Sequence, residues 1–241
     1  MLSKNEIKDI QSLGHKKSRD AGGLFIAEGP KLVEELLAAR SADIVCIYAL
    51  AEWSERHKQS NVPVKIISAI ELERLSQLTT PHEVLAVVKQ FKLPAKQWKE
   101  GWTLLLDGIR DPGNLGTIIR LADWFGIRQI ICSEDTADCY NPKVVQASMG
   151  SIARVHVYYE SPDAILQAAK LPVYAASLDG KDLRKIRFPE AGILLIGNEA
   201  SGIRAGLLSQ VQEKIMIPRI GAAESLNAAV ATGILLWELR K

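Results

Sequence analysis

Short apolar runs recur through the second half of the chain, and stretches with a helical spacing of apolar residues separate them. Strands that alternate with helices in this way are typical of a parallel sheet with helices on both faces. The second half therefore predicts an α/β fold. The predicted strands are Thr103–Leu106, Arg128–Cys132, Arg154–Tyr158, Val173–Ala176, Ile193–Ile196 and Lys214–Ile217.

The first half alternates strand and helix patterns as well. Strand patterns lie at residues 24–29, 43–49, 62–68 and 83–91, and a helix pattern begins at Pro30, where proline is favoured in the first turn. Between the halves, "KLPAKQWKEG" (residues 92–101) combines a proline, a glycine and several lysines, as linkers do. We expect a smaller α/β domain at residues 1–92, a linker at 93–100 and a larger domain at 101–241.

Composition narrows the class of protein without identifying it. The net charge is +2 over 241 residues, so a surface that binds RNA has to come from local clusters of charge. Three cysteines without a C-x-x-C pair favour free thiols in a reducing compartment. The N-terminus lacks the apolar core of a signal peptide, and the apolar stretch Leu226–Trp237 is too short to span a bilayer. We expect a cytoplasmic protein that does not enter the membrane.

Three loops in the second half share one pattern, in which an apolar strand ends at small and polar residues. The first loop (residues 107–114) reads "DGIRDPGN", the second (197–203) "GNEASGI" and the third (217–227) "IPRIGAAESLN". Ligands of open α/β sheets bind beyond the carboxyl ends of the strands. The three loops together therefore predict one composite pocket.

Residues in and next to these loops also have a purely structural interpretation. Glu199 fits a surface carboxylate, and Ser225 fits the N-cap of the helix that follows. Arg120 fits a pair with Asp123 on an exposed helical face. The glycines fit turns that need a positive φ: Gly113, Gly116, Gly197 and Gly202.

A nucleotide enzyme is the first alternative, because glycine-rich loops that enter a helix bind phosphate. The first loop has only the spacing G-x-x-G, at Gly113 and Gly116. The chain matches neither G-x-G-x-x-G nor G-x-x-x-x-G-K-[ST] at this junction, which argues against a dinucleotide site and against a P-loop.

Longer segments around the loops resemble the three signature motifs of the SpoU (TrmH-like) RNA ribose 2′-O-methyltransferases of the SPOUT superfamily. They are "DGIRDPGNLGTIIRLADWFG", "LLIGNEASGI" and "IPRIGAAESLNAAVATGILLWEL", in the family's order. "SRDAGGLFIAEGPKLVEELL", at residues 18–37, resembles the substrate-binding domain that precedes the catalytic domain in many members. The resemblance covers nearly the whole chain.

The resemblance implies a parallel sheet with a C-terminal trefoil knot, preceded by a smaller α/β substrate-binding domain. It also implies that S-adenosylmethionine is the cofactor, held largely by backbone groups, with no metal. The cofactor-binding residues that it implies are Ala176, Ser177, Leu178, Gly197, Ile217 and Leu226.

The implied reaction moves the cofactor's methyl group to a ribose 2′-hydroxyl, the group that distinguishes RNA from DNA. The family assigns activation of this hydroxyl to Arg120, with Asn114 as the orienting residue. Free arginine has a pKa above 12, so a neutral guanidine is costly. Two roles for Arg120 therefore stay open: base, or electrostatic stabiliser of the alkoxide and its neighbouring phosphate. The remaining catalytic residues would shape the site: Glu199, Ser225 and Asn227.

The N-terminal half would bind structured RNA, with ribosomal RNA favoured over transfer RNA by analogy with the family. A basic cluster beside Gly14 is the candidate phosphate contact: Lys16, Lys17 and Arg19. A solvated surface is the alternative interpretation of this cluster. The helix predicted at Leu226–Leu239 is apolar on almost every side, which predicts burial all round. Because family members dimerise through this region, we expect a homodimer. A catalytically inactive RNA-binding protein with the same fold is the second alternative.

Overall fold

The structure is a computed structural model that describes residues 1–58, 61–98 and 101–240. Residues 99–100 of the predicted linker lie outside the described residues. The helices and strands before residue 100 are α1 (Lys4–Ser12), α2 (Lys16–Gly22), β1 (Leu24–Glu28), α3 (Pro30–Ala38), β2 (Ile44–Ala49), α4 (Ala51–Arg56), β3 (Val64–Ile66), α5 (Ala69–Leu75) and β4 (Val84–Lys89).

The second half contains the six strands that the apolar pattern predicts. Its elements are β5 (Trp102–Asp107), α6 (Pro112–Trp124), β6 (Gln129–Cys132), α7 (Pro142–Ser148), β7 (His156–Tyr159), α8 (Pro162–Ala168), β8 (Val173–Asp182), β9 (Gly192–Gly197), α9 (Ala205–Leu208), β10 (Glu213–Met216) and α10 (Ala228–Leu239), with single 3₁₀ turns at Ser151–Ala153 and Leu183–Lys185.

The chain forms two compact units. One consists of Met1–Lys92 with Asp138–Arg154, and the other of Leu93–Ala137 with Val155–Lys241. The segment Asp138–Arg154, which the predicted boundaries place in the larger domain, therefore packs with the N-terminal unit. Part of the predicted linker is also packed: in the second unit the Pro94 carbonyl accepts a hydrogen bond from the Tyr158 hydroxyl, at 2.9 Å.

The N-terminal unit is built on a four-stranded mixed sheet in the order β1-β4-β2-β3. Side chains of α1 and α5 pack with one face of it, in a cluster that includes Ile10, Ile26 and Leu72. Phe25 points to the opposite face of β1, where its ring contacts the ring of Tyr140, from the inserted segment. The smaller α/β domain predicted from the first half is thus confirmed.

The second unit is built on a six-stranded sheet in the order β10-β8-β9-β5-β6-β7, and every pair of neighbouring strands is parallel. All six residues of β5 are buried, as expected for a central strand covered on both faces. Helices α8 and α9 pack against each other, and α10 packs against α6 and β9. The predicted α/β architecture is confirmed. Within the described residues, no helix combines the length and the apolar character that a membrane crossing needs.

Candidate active site

The carboxyl ends of β5 and β9 lie side by side, because Asp107 and Gly197 are opposite each other in the register of the two strands. The first loop leaves β5 at this edge and the second loop leaves β9. Side chains that are far apart in the sequence therefore meet at one end of the sheet.

Asn114 is placed by the cap of helix α6. The Asp111 side chain is the N-cap, and its Oδ1 accepts a hydrogen bond from the Asn114 backbone N–H at 2.8 Å. Pro112 fills the first turn, where proline fits the helical φ and no N–H is needed. This arrangement holds the Asn114 side chain at the positive end of the helix, beside the second and third loops.

A chain of hydrogen bonds through Asn114 connects all three loops. Its Nδ2 donates to Glu199 Oε1 of the second loop, and its Oδ1 accepts from Asn227 Nδ2 of the third loop at 2.8 Å. Both ends of the amide are therefore used, and each fixes a different loop. Three of the five catalytic candidates are therefore brought together.

Asn227 is also the N-cap of helix α10. Its Oδ1 accepts hydrogen bonds from the backbone N–H groups of Ala229 and Val230, at 3.0 and 3.2 Å. Asn227, and not Ser225, is the N-cap of this helix. Because the cap uses Oδ1, Nδ2 is directed to Asn114.

The second loop is a tight turn in which Asn198 and Gly202 exchange two backbone hydrogen bonds, at 3.1 and 2.9 Å. Gly202 has a φ of 68°, which favours glycine. Gly197 is constrained differently: a Cβ there would overlap the backbone of Gly202 and Ile203. A larger residue at Gly197 would therefore distort the turn itself.

A cavity of about 680 Å³ lies against the second and third loops and the strand end at Ala176–Leu178. All six residues implied as cofactor-binding line it, together with Glu199 and Ser225 from the catalytic candidates. Asn114, Arg120 and Asn227 are not in its lining. Within the described residues, no group of His, Cys, Asp or Glu side chains is arranged to hold a metal ion.

Arg120 lies apart from the hydrogen-bonded chain. It is six residues after Asn114 on α6, or about 9 Å further along the helix axis. Its side chain is exposed, as is that of Trp124 one turn later. Arg120 makes no ion pair with any described residue, so the structure does not contain its predicted alternative pairing with Asp123.

Comparison with known proteins matches both halves of the chain to protein families. Residues 101–237 match the SpoU rRNA methylase family, and residues 4–86 match an MRM3-like substrate-binding domain. The chain belongs to the SpoU rRNA methylase family. The family that the three motifs predict is thereby confirmed.

Relatives of the chain match it along its whole length. 23S rRNA (guanosine(2553)-2'-O)-methyltransferase RlmP of Bacillus subtilis is 32% identical over 99% of this chain and 97% of its own length. A Porphyromonas gingivalis structure assigned to the TrmH family of RNA methyltransferases is 39% identical, with a TM-score of 0.89 over 100% of this chain and 98% of its own. An AdoMet-bound rRNA methyltransferase from Sinorhizobium meliloti is 32% identical, with a TM-score of 0.88 over 100% and 95%.

In this member of the SpoU family, the three residues of the basic cluster near the N-terminus differ in exposure. All three lie on helix α2, where Lys16 and Lys17 are exposed to solvent. Arg19 is only 2% exposed: it donates to the carbonyls of Leu13 and Gly14 and pairs with Asp138. The prediction that Arg19 contacts RNA is therefore corrected, because its guanidinium is used inside the N-terminal unit.

Sequence reasoning missed three residues that hold the first and second loops together. Asn198 Nδ2 donates to the Gly108 carbonyl at 2.8 Å, and the Arg204 guanidinium pairs with the buried carboxylate of Asp107. Asp107 could have been found from the sequence, because it is an acidic residue at the end of an otherwise apolar strand. Arg204 gives no such signal, since its partner lies 97 positions earlier.

Proposed function

We propose that this chain transfers a methyl group from S-adenosylmethionine to a ribose 2′-hydroxyl in structured RNA, with ribosomal RNA as the substrate. The observation that carries the proposal is the hydrogen-bonded chain Glu199–Asn114–Asn227, which joins the three family motifs, and of its members Glu199 lines the cavity. Relatives named as 23S rRNA 2'-O-methyltransferases support ribosomal RNA over transfer RNA.

The cavity fits S-adenosylmethionine in size and character. Small-molecule sites usually measure about 300–1,000 Å³ and are mostly apolar with a few polar groups. The lining here consists mostly of small and aliphatic residues, with Glu199 and Glu224 as its acidic residues and Arg219 as its basic one. A carboxylate favours a positively charged ligand, and the cofactor carries a sulfonium centre. When bound, the cofactor supplies an electrophilic methyl group that needs no metal for its transfer.

The residues around this cavity would then orient the RNA hydroxyl and handle its proton. Asn114 cannot turn its amide over without losing both of its partners, so it presents a fixed face to the substrate. Arg120 is free of ion pairs among the described residues and can reach an RNA phosphate or the developing alkoxide. We keep both roles of Arg120, base and electrostatic stabiliser, in the proposal.

Helix α10 supports a homodimer. Val230, Ile234 and Trp237 follow one another at helical spacing and are exposed, although α10 is predicted to be buried all round. Trp124, 83% exposed, stands on α6, which packs against α10. An exposed apolar stripe of this kind marks an interaction surface. A second copy of the chain would cover it and would lie close to Arg120.

The other parts of the proposal follow from the family. Lys16 and Lys17 would contact RNA phosphates. The C-terminal segment would be knotted, as the family resemblance implies. The three cysteines are buried thiols outside any disulfide, which fits the cytoplasm.

Calorimetry on a cavity-filling variant tests the cofactor assignment. Ala231 lines the cavity from helix α10, so Ala231→Phe should weaken S-adenosylmethionine binding by at least about tenfold by occupying its space. Ala164→Phe, on the exposed surface of α8, is the matched control and should bind normally. NAD and ATP should not bind the wild-type chain. Normal affinity of the Ala231→Phe variant, or binding of NAD or ATP in place of S-adenosylmethionine, would refute the assignment.

A further inference from the structure

Arg204 connects the far end of the second loop to the start of the first. The loop begins at Gly197, opposite Asp107 in the sheet register, and returns to Asp107 seven residues later. The Arg204 backbone N–H donates to Asp107 Oδ2 at 2.8 Å, and its Nε–H donates to Oδ1 at 2.6 Å. Both carboxylate oxygens are therefore used by a single residue.

The Asp107 carboxylate depends on this contact. It is 2% exposed at the end of a buried strand, and a buried carboxylate without a partner is strongly unfavourable. The Arg204 guanidinium also lies 3.8 Å from Asp135, whose Oδ1 accepts a hydrogen bond from the Ser133 hydroxyl. The position of Arg204 is thus determined by fixed groups at the ends of β5 and β6.

We infer that Arg204 is a positioning residue for the methyl-transfer reaction: its clamp on Asp107 holds the second loop so that Glu199 meets Asn114. The inference rests on the proposed function. Residues 197–203 line the cavity and contain Glu199, and both ends of this segment are fixed to Asp107. A shift of this loop would move Glu199 away from the Asn114 amide.

Replacing Arg204 with lysine tests the clamp. Arg204→Lys keeps the positive charge and the backbone N–H but lacks the Nε–H that fixes Asp107 Oδ1. We expect kcat to fall at least about tenfold at saturating cofactor and RNA, because small misplacements of catalytic groups are costly. RNA affinity should change little, and the variant should remain folded at the assay temperature. Asp107→Asn, which keeps one acceptor oxygen, is the second variant and should lower kcat similarly.

Arg184 offers a closely matched control. Its backbone N–H and its Nε–H both donate to the Asp182 carboxylate, at 3.0 Å each, and its side chain is 66% exposed against 56% for Arg204. Arg184 does not line the cavity. Arg184→Lys should therefore leave kcat unchanged, which separates the clamp from the general effect of losing such a pair.

A double-mutant cycle with Glu199→Ala, which removes the acceptor of the Asn114 Nδ2 hydrogen bond, tests by single-turnover rates whether Arg204 acts through Glu199. If it does, Arg204→Lys should lower the rate much less in the Glu199→Ala background than in the wild type. Losses that simply add, or an unchanged kcat in the Arg204→Lys and Asp107→Asn variants, would overturn the clamp. Absence of methyl transfer by the wild-type chain would instead overturn the proposed function on which the clamp rests.

Discussion

Single side chains decide how the three loops become one site. The loop pattern predicts that Asn114, Glu199 and Asn227 lie near one another, and the structure brings them within hydrogen-bonding distance. The pattern does not predict that Asn114 is the shared partner, because both ends of its amide depend on loop conformations. The burial of Arg19 cannot be predicted from its neighbours in the sequence for a similar reason: it depends on Asp138, which lies far along the chain.

Arg120 gives the sharpest test at this scale. Arg120→Ala should lower the methyl-transfer rate at least about a hundredfold, the scale of losing a general base or a transition-state donor. Because Arg120 does not line the cavity, S-adenosylmethionine affinity should stay nearly normal in calorimetry. Substantial rescue by Arg120→Lys would support electrostatic stabilisation, and an inactive lysine variant would support a need for guanidinium geometry. Near-normal turnover of the alanine variant with weakened RNA binding would contradict the catalytic assignment.

Strands and helices were predicted more reliably than single contacts, because their apolar periodicity is local in the sequence. All six strands of the parallel sheet were predicted within a few residues, with β8 extending further than its pattern indicated. Helix α10 is the element whose exposure differs from the prediction. Its apolar character on every side predicts burial, but a sequence cannot say whether the covering surface comes from the same chain or from another.

The exposed stripe of α10 leads to a prediction about assembly. Ile234→Glu places a charge within the apolar stripe and should convert a homodimer into a monomer, as measured by sedimentation velocity at micromolar concentration. Ile70→Glu, at an exposed isoleucine of α5 in the N-terminal unit, is the matched control and should remain dimeric. A wild-type chain that sediments as a monomer at these concentrations would contradict the proposal.

At the scale of the whole molecule, each of the two compact units is built from two separate segments of the chain. The linker composition indicates one boundary near residue 92, but the segment Asp138–Arg154 packs with the N-terminal unit. The Tyr140 hydroxyl accepts from the Phe91 N–H at 2.9 Å, and the Ser41 hydroxyl donates to the Ala153 carbonyl at 2.7 Å. Composition cannot reveal an insertion of this kind, because its partners lie about 50 to 110 residues away.

Hydrogen exchange on a fragment of residues 93–241 tests this packing. Without the N-terminal unit, the amides of α7 should exchange at least about tenfold faster than in the full chain, because Val144 and Val145 lose their buried contacts. The amides of β5 and β9 should keep their protection and serve as the internal control. Equal protection of α7 in the fragment and the full chain would contradict the assignment of this segment to the N-terminal unit.

The proposed activity is tested most directly by the chemistry of the product. Ribosomal RNA from a strain that lacks this protein would be incubated with the purified chain and S-adenosylmethionine carrying a labelled methyl group. The RNA would then be digested to nucleosides for mass spectrometry. The account predicts that the label appears on the ribose 2′-oxygen of one nucleotide, without added metal. Label on a base, or no transfer to ribosomal RNA by a chain that binds the cofactor, would contradict it.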